Sequence, residues 1–180
     1  MFLYYITLEI NLEVINKSEY LYINNYSRSM NKINKLLNQL EDQVNHYTKF
    51  NQAISEGNVG WHIVHSCLVI DSVCAAVCKS DPSKFIKKFS FKANLVLLLN
   101  SFPRGKAKAP SFTVPSEELS PASILKSIHD AHASLALLAK AGKNQYFTHP
   151  IFGDLNTEQT FKFLGVHTNH HLKIIKDILK

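Results

Sequence analysis

The chain is short of the residues that would staple, anchor or reroute it. It has three cysteines, Cys67, Cys74 and Cys78, an odd number clustered on one apolar segment. That argues against a disulfide framework and for a reducing compartment. No apolar run approaches the roughly 20 residues that span a bilayer, because Glu9 interrupts the first and Asp71 the next. The N-terminus lacks the basic start and small-residue cleavage site of a signal peptide, so the cytoplasm is the expected compartment. There is no P-loop or dinucleotide glycine pattern, Ser66 and Ser72 have no glycine-flanked elbow, and HTNHH lacks the glutamate of an H-E-x-x-H zinc-protease helix. No internal repeat favours a solenoid. What remains is a globular composition, 46% hydrophobic and 19% charged over 180 residues, long enough to bury a core without staples.

Positive charge is concentrated in one stretch. Residues 79–108 carry Lys79, Lys84, Lys87, Lys88, Lys92, Arg104, Lys106 and Lys108 against Asp81 alone, a net of +7, while the whole chain carries +6. A charge this local is ordinarily a solvated face or loop, and next an anion site for which Arg104, Lys106 and Lys108 are the candidates. No DNA-reading signature accompanies it, so specific nucleic-acid binding is not expected.

Residues 1–29 hold five of the seven tyrosines and no His, Ala, Gly or Pro. Ile6, Leu8, Ile10, Leu12 and Val14 alternate with polar residues at the period of a strand, and Tyr20 to Ile23 could pair with them across Asn16-Lys17-Ser18. This segment is expected to be an extension that need not belong to the native protein, with the domain proper at 30–180. From Met30 the period becomes helical. Ile33, Leu36, Leu37, Leu40, Val44 and Tyr47 predict a helix near 31–49, and a nearly all-apolar helix follows near 58–79. Short helical pieces are expected at 82–88 and 91–100. A proline-rich loop then crosses to a third helix opened by Ser120-Pro121, and a capping-box pattern, Asn156 to Gln159, precedes a fourth near 157–179. The expected fold is all-α, a four-helix bundle with a long crossover loop between its second and third main helices.

Seven of the nine histidines fall in three clusters: His62 and His65, His129 and His132, and His167, His170 and His171; His46 and His149 stand apart. In the fourth helix Leu164, His167, His171, Ile174 and Ile178 recur at the inward seam of a bundle, so two imidazoles take core positions. His170 shares the stripe of Lys173 and Asp177 and reads as solvent-facing. Two histidines one turn apart can bind one metal ion, at about 2.0–2.1 Å from each nitrogen, leaving the remaining ligands to another helix. His65, on the stripe of Trp61, Leu68, Ser72 and Ala75, is preferred over His62 for that third place. Separate, water-bonded histidines are the plainer alternative. Cys74 and Cys78 fit small buried hydrophobes better than ligands. Asp71 could orient an imidazole from outside the ligand set, but a solvent or lysine contact is the simpler expectation.

Four segments, GWHIVHSCLVIDSV, FPRGKAKAP, HPIFGDLN and HTNHH, occur in this order over about 30–180. Together they resemble the DinB/YfiT-like superfamily, and more narrowly a branch of unknown function carrying GWHxxHS, FPRGKxKAP, HPxFGxLN and HTxHH. The resemblance implies a four-helix bundle whose second and fourth helices give three histidines to a divalent metal, often nickel or zinc. His65 matches the second-helix ligand, and His167 and His171 match the fourth-helix pair. His62 and His170 are extra histidines beside those positions and are the alternative ligands. Characterised relatives include thiol-dependent transferases, isomerases and hydrolases. His149, in the HPIFG segment, falls either at the bundle mouth or in loop packing.

The function expected is therefore that of a metal-dependent bundle enzyme, by thiol transfer or hydrolysis. Its expected partner is a small-molecule substrate, a low-molecular-weight thiol among the candidates, with no membrane, and homodimer formation is compatible with the chain. The competing expectation is a non-catalytic, stress-related or binding module that uses the 79–108 region to hold an acidic partner.

Overall fold

The computed structural model describes residues 17–86, 96, 99, 102, 109–115 and 118–180, with side chains from residue 27 onward. Among these residues the chain is mostly helical. The helices are α1 (Lys17–Glu41), α2 (Val59–Lys79), α3 (Pro121–Leu138) and α4 (Thr157–Ile178), and a two-stranded antiparallel sheet, β1 (Tyr146–His149) and β2 (Gly153–Asn156), joins the last two. α2 packs chiefly on α3 and α4, and α1 packs on α4, all around one apolar core.

α1 buries the expected stripe of Ile33, Leu36, Leu37 and Leu40, but differs from expectation at both ends. It begins at Lys17, so residues 20–23 are helical rather than extended. No glycine or proline interrupts residues 17–41. Each residue added to an existing helix gains a hydrogen bond without a new nucleation cost, whereas a hairpin over Asn16-Lys17-Ser18 lacks the glycine its turn would favour. Met30 thus lies inside a continuous helix, and the alternating segment 6–14 is outside the described residues. At its other end α1 stops at Glu41 and the chain tightens into a 3-10 turn, Val44–His46. That turn brings Tyr47 against α2, where the Gly60 N–H donates to the Tyr47 carbonyl at 2.9 Å. A Cβ on Gly60 would lie 3.1 Å from the same oxygen, so glycine permits this approach.

α2 is opened by Asn58, whose side-chain oxygen accepts the Trp61 N–H at 2.8 Å. By length and composition alone α2 could cross a bilayer, despite Asp71. Its apolar residues are core: Ile63, Cys67, Ile70 and Val77 are wholly buried. The Asp71 carboxylate accepts a hydrogen bond from Ser134 of α3 at 2.7 Å.

Both anticipated caps form. Ser120 and Ser123 make a reciprocal capping box ahead of α3, with Pro121 in the first turn, and Asn156 and Gln159 do the same for α4.

The sheet is the departure from an all-helical chain. His149 pairs with Gly153 across the three residues Pro150 to Phe152, and Gly153 takes φ +73 with open space around its missing Cβ. The requirement there is conformational, the left-handed residue that closes a three-residue hairpin loop. Gln145 donates to the Val77 and Cys78 carbonyls at 3.2 Å, closing the last turn of α2, and the Tyr146 N–H donates to Ser80 Oγ at 2.9 Å. The hairpin therefore ties the end of α2 to the start of α4 and sets these two helices antiparallel. Of the short helical pieces expected after α2, the first is a 3-10 turn, Pro82–Lys84, and in the second the two described residues, Val96 and Leu99, are helical; residues 87–95, 97, 98 and 100 are outside the described set.

Candidate metal centre

His65 lies in the first half of α2, His167 at the middle of α4 and His171 one turn later, so the antiparallel pairing brings them level. Each offers a ring nitrogen within 4.8 Å of the others. Their ring centroids form a nearly regular triangle: 5.2 Å for His65–His167 and 4.6 Å for both His65–His171 and His167–His171. These are the three residues singled out from spacing and resemblance.

The partners of the rings decide which nitrogens are available. His65 Nδ1 lies 2.8 Å from the Thr113 carbonyl. A carbonyl can only accept, so Nδ1 carries the proton and Nε2 keeps its lone pair. His171 Nδ1 lies 2.9 Å from His62 Nδ1, and His62 Nε2 lies 2.9 Å from Ser55 Oγ, so both nitrogens of His62 are engaged. His167 Nδ1 is buried with no hydrogen-bond partner. Buried polar atoms are rarely left so.

Burial keeps the cluster uncharged. It lowers the His62 imidazole to about 4, aided by repulsion from His65 and His170, and it lowers His65 against the opposing pull of the Thr113 bond. His167 and His171 are held well below the ordinary histidine value, by burial first and by repulsion among the neighbouring rings second. At neutral pH the lone pairs are therefore not blocked by protons, which suits metal ligation.

Aromatic rings wall the cluster. Trp61 stacks on His65 with centroids 4.8 Å apart and planes 12° from parallel, and Phe102 stands 6.2 Å from His167. His149 stacks on Phe152 at 4.2 Å and lies 5.1 Å from Phe163, whose ring is 6.0 Å from His167. Its Nδ1 accepts from the Ile151 and Phe152 N–H groups, so His149 closes the hairpin loop while flanking the cluster.

Several expected residues are placed differently. His170 is half-buried rather than solvent-facing, 5.9 Å from Phe102 and 5.2 Å from His171, because the Phe102 ring covers that side of α4. Asp71 is spent on Ser134, so the groups bonded to the clustered rings from behind are the Thr113 carbonyl, on His65, and His62, on His171. Cys67 and Cys74 are buried, their thiols pushed up by that burial, while Cys78 is exposed. Arg104, Lys106 and Lys108 lie outside the described residues.

Thr113 and Ser55 escape the sequence, and Trp61 is marked there only as sharing the stripe of His65. The first two act through a backbone oxygen and across a loop, and only Trp61, one turn before His65, left a signal. In comparisons with family models, curated proteins and solved structures, the chain matches none.

Proposed function

We propose that the chain is a divalent-metal-dependent enzyme, a four-helix bundle of the DinB/YfiT-like kind that holds nickel or zinc through His65, His167 and His171. One observation carries the reading. Three uncharged imidazoles converge inside the protein, one aimed by a backbone carbonyl and one with a buried nitrogen that no protein group satisfies. Without a ligand, that arrangement leaves lone pairs facing one another in a poorly solvated place. The donor set therefore fits the group.

Bound by three imidazoles, such a metal keeps open positions where a thiol or water becomes acidic or a carbonyl is polarised. The chain's own residues do the rest. The Thr113 carbonyl keeps His65 turned inward, and Trp61 and Phe102 shield the cluster with apolar surface. The proposed reaction is thiol transfer or hydrolysis on a small molecule.

The test offers the metal-loaded protein low-molecular-weight thiols with electrophilic acceptors and, in parallel, activated esters. Turnover in one of the two series should vanish on chelation, return with nickel or zinc, and be absent from His167→Ala. Turnover that survives both chelation and the loss of His167 overturns the reading.

A further inference from the structure

His62 is buried, stands outside the group formed by His65, His167 and His171, and is bonded at both ring nitrogens. A run of contacts passes through it: the Gly57 N–H donates to Ser55 Oγ at 3.1 Å, Ser55 Oγ meets His62 Nε2 at 2.9 Å, and His62 Nδ1 meets His171 Nδ1 at 2.9 Å. A hydrogen bond between two Nδ1 atoms holds a single proton, so one ring donates and the other accepts. Only one order leaves His171 able to ligate at Nε2. In it His171 donates from Nδ1, and His62 accepts there and carries its own proton on Nε2, which it gives to Ser55. The reverse order puts a proton on His171 Nε2 and removes its lone pair.

We propose that His62 is a positioning residue: anchored by Ser55, it accepts the His171 Nδ1 proton and so fixes His171 as the tautomer whose Nε2 faces His65 and His167. It has the place that a carboxylate or carbonyl commonly has behind a ligand histidine. His62 and the Thr113 carbonyl thus serve two of the three rings in the same way. The loop before α2 holds the anchor: the Val59 and Gly60 N–H groups donate to the Lys49 and Tyr47 carbonyls, which closes that loop over His62.

The inference rests on the proposed metal site, and the experiment separates the two. The variants are His62→Leu, which removes the acceptor, and His62→Gln, whose side-chain oxygen can accept from His171 while its amide donates to Ser55. Nitrogen-15 spectra of the metal-free protein report which nitrogen of His171 is protonated, and zinc titration followed by Trp61 fluorescence reports affinity. Wild type and His62→Gln should carry the His171 proton on Nδ1 and bind zinc within about threefold of each other. His62→Leu should lose that proton preference and bind roughly ten- to a hundredfold more weakly. Equal losses in both variants, or an unchanged tautomer in His62→Leu, overturn the positioning role while the metal site stands. A wild type that binds no zinc overturns the site and this role together, and thermal melts of both variants separate unfolding from loss of the proton acceptor.

Discussion

Two histidine pairs in this chain share the same spacing, His62 with His65 on α2 and His129 with His132 on α3, and they meet opposite fates. The α2 pair is buried, at 3% and 4% exposure. On α3 the His129 side chain is 86% exposed beside Asp130, and His132 is half-buried against Asn34 of α1 at 3.3 Å. The difference comes from the helices. The first half of α2, from Val59 to Cys67, is buried at nearly every position, so an imidazole there must find a buried partner. α3 buries only the stripe of Ile124, Ile128, Ala131, Leu135 and Leu138, and its histidines fall beside that stripe. Spacing makes a pair of histidines possible ligands; the hydrophobicity of the helix around them decides whether they face a partner or water.

The largest effect that sharpens this contrast is on metal affinity. Replacing His65, His167 or His171 by Ala should weaken nickel or zinc binding by roughly a hundredfold or more. Replacing His129, His132 or His170 should change it by less than about threefold. Trp61, the only tryptophan, stacks on His65 and supplies the signal. A loss from His129→Ala comparable to that from His65→Ala would break the contrast.

Acidification gives the next effect. Unfolded histidines take up protons near 6.5, whereas folded His62 and His149 wait until about 4, and His65, His167 and His171 are also lowered. Between those values the unfolded state binds more protons, so stability rises with pH there; it is full above about 6.5 and is lost as the pH falls toward 4. Denaturant midpoints of the metal-free protein at pH 7, 6 and 5 should fall in that order. Replacing His65 and His167 together by Gln should flatten the slope. A midpoint that rises on acidification contradicts the neutral cluster.

The α2–α3 contact provides a smaller test. Ser134→Ala leaves Asp71 without its donor and should cost about 1 kcal/mol of stability, with metal affinity unchanged. A shift in affinity would mean that Asp71 reaches the cluster after all.

The parts of this structure that were legible in the sequence are those written in local patterns. The alternation of Leu164, His167, His171, Ile174 and Ile178 gave the inward face of α4, and Asn156 with Gln159 gave its start, because helix period and capping act within a few residues. The hairpin was not legible: each strand is four residues long, too short for a strand period to stand out beside Pro150. The helical course of residues 17–29 was missed because tyrosine-rich alternation suggests strands, while continuity with α1 is a cooperative effect that composition does not reveal. Within the site, the three clustered rings had signatures but their supports did not. A backbone carbonyl at Thr113 has no side-chain code, and the Ser55–His62 bond depends on how a loop folds over the start of α2.

The most direct test of the account is the metal content of the protein after saturation with nickel or zinc and removal of the unbound ion, measured by elemental analysis on wild type and on the His65→Ala, His167→Ala, His171→Ala triple variant. The account predicts close to one ion per chain in wild type and none in the triple variant, with both chains helical by circular dichroism. A wild type left metal-free at micromolar concentrations, or a triple variant that still retains one ion, would contradict it.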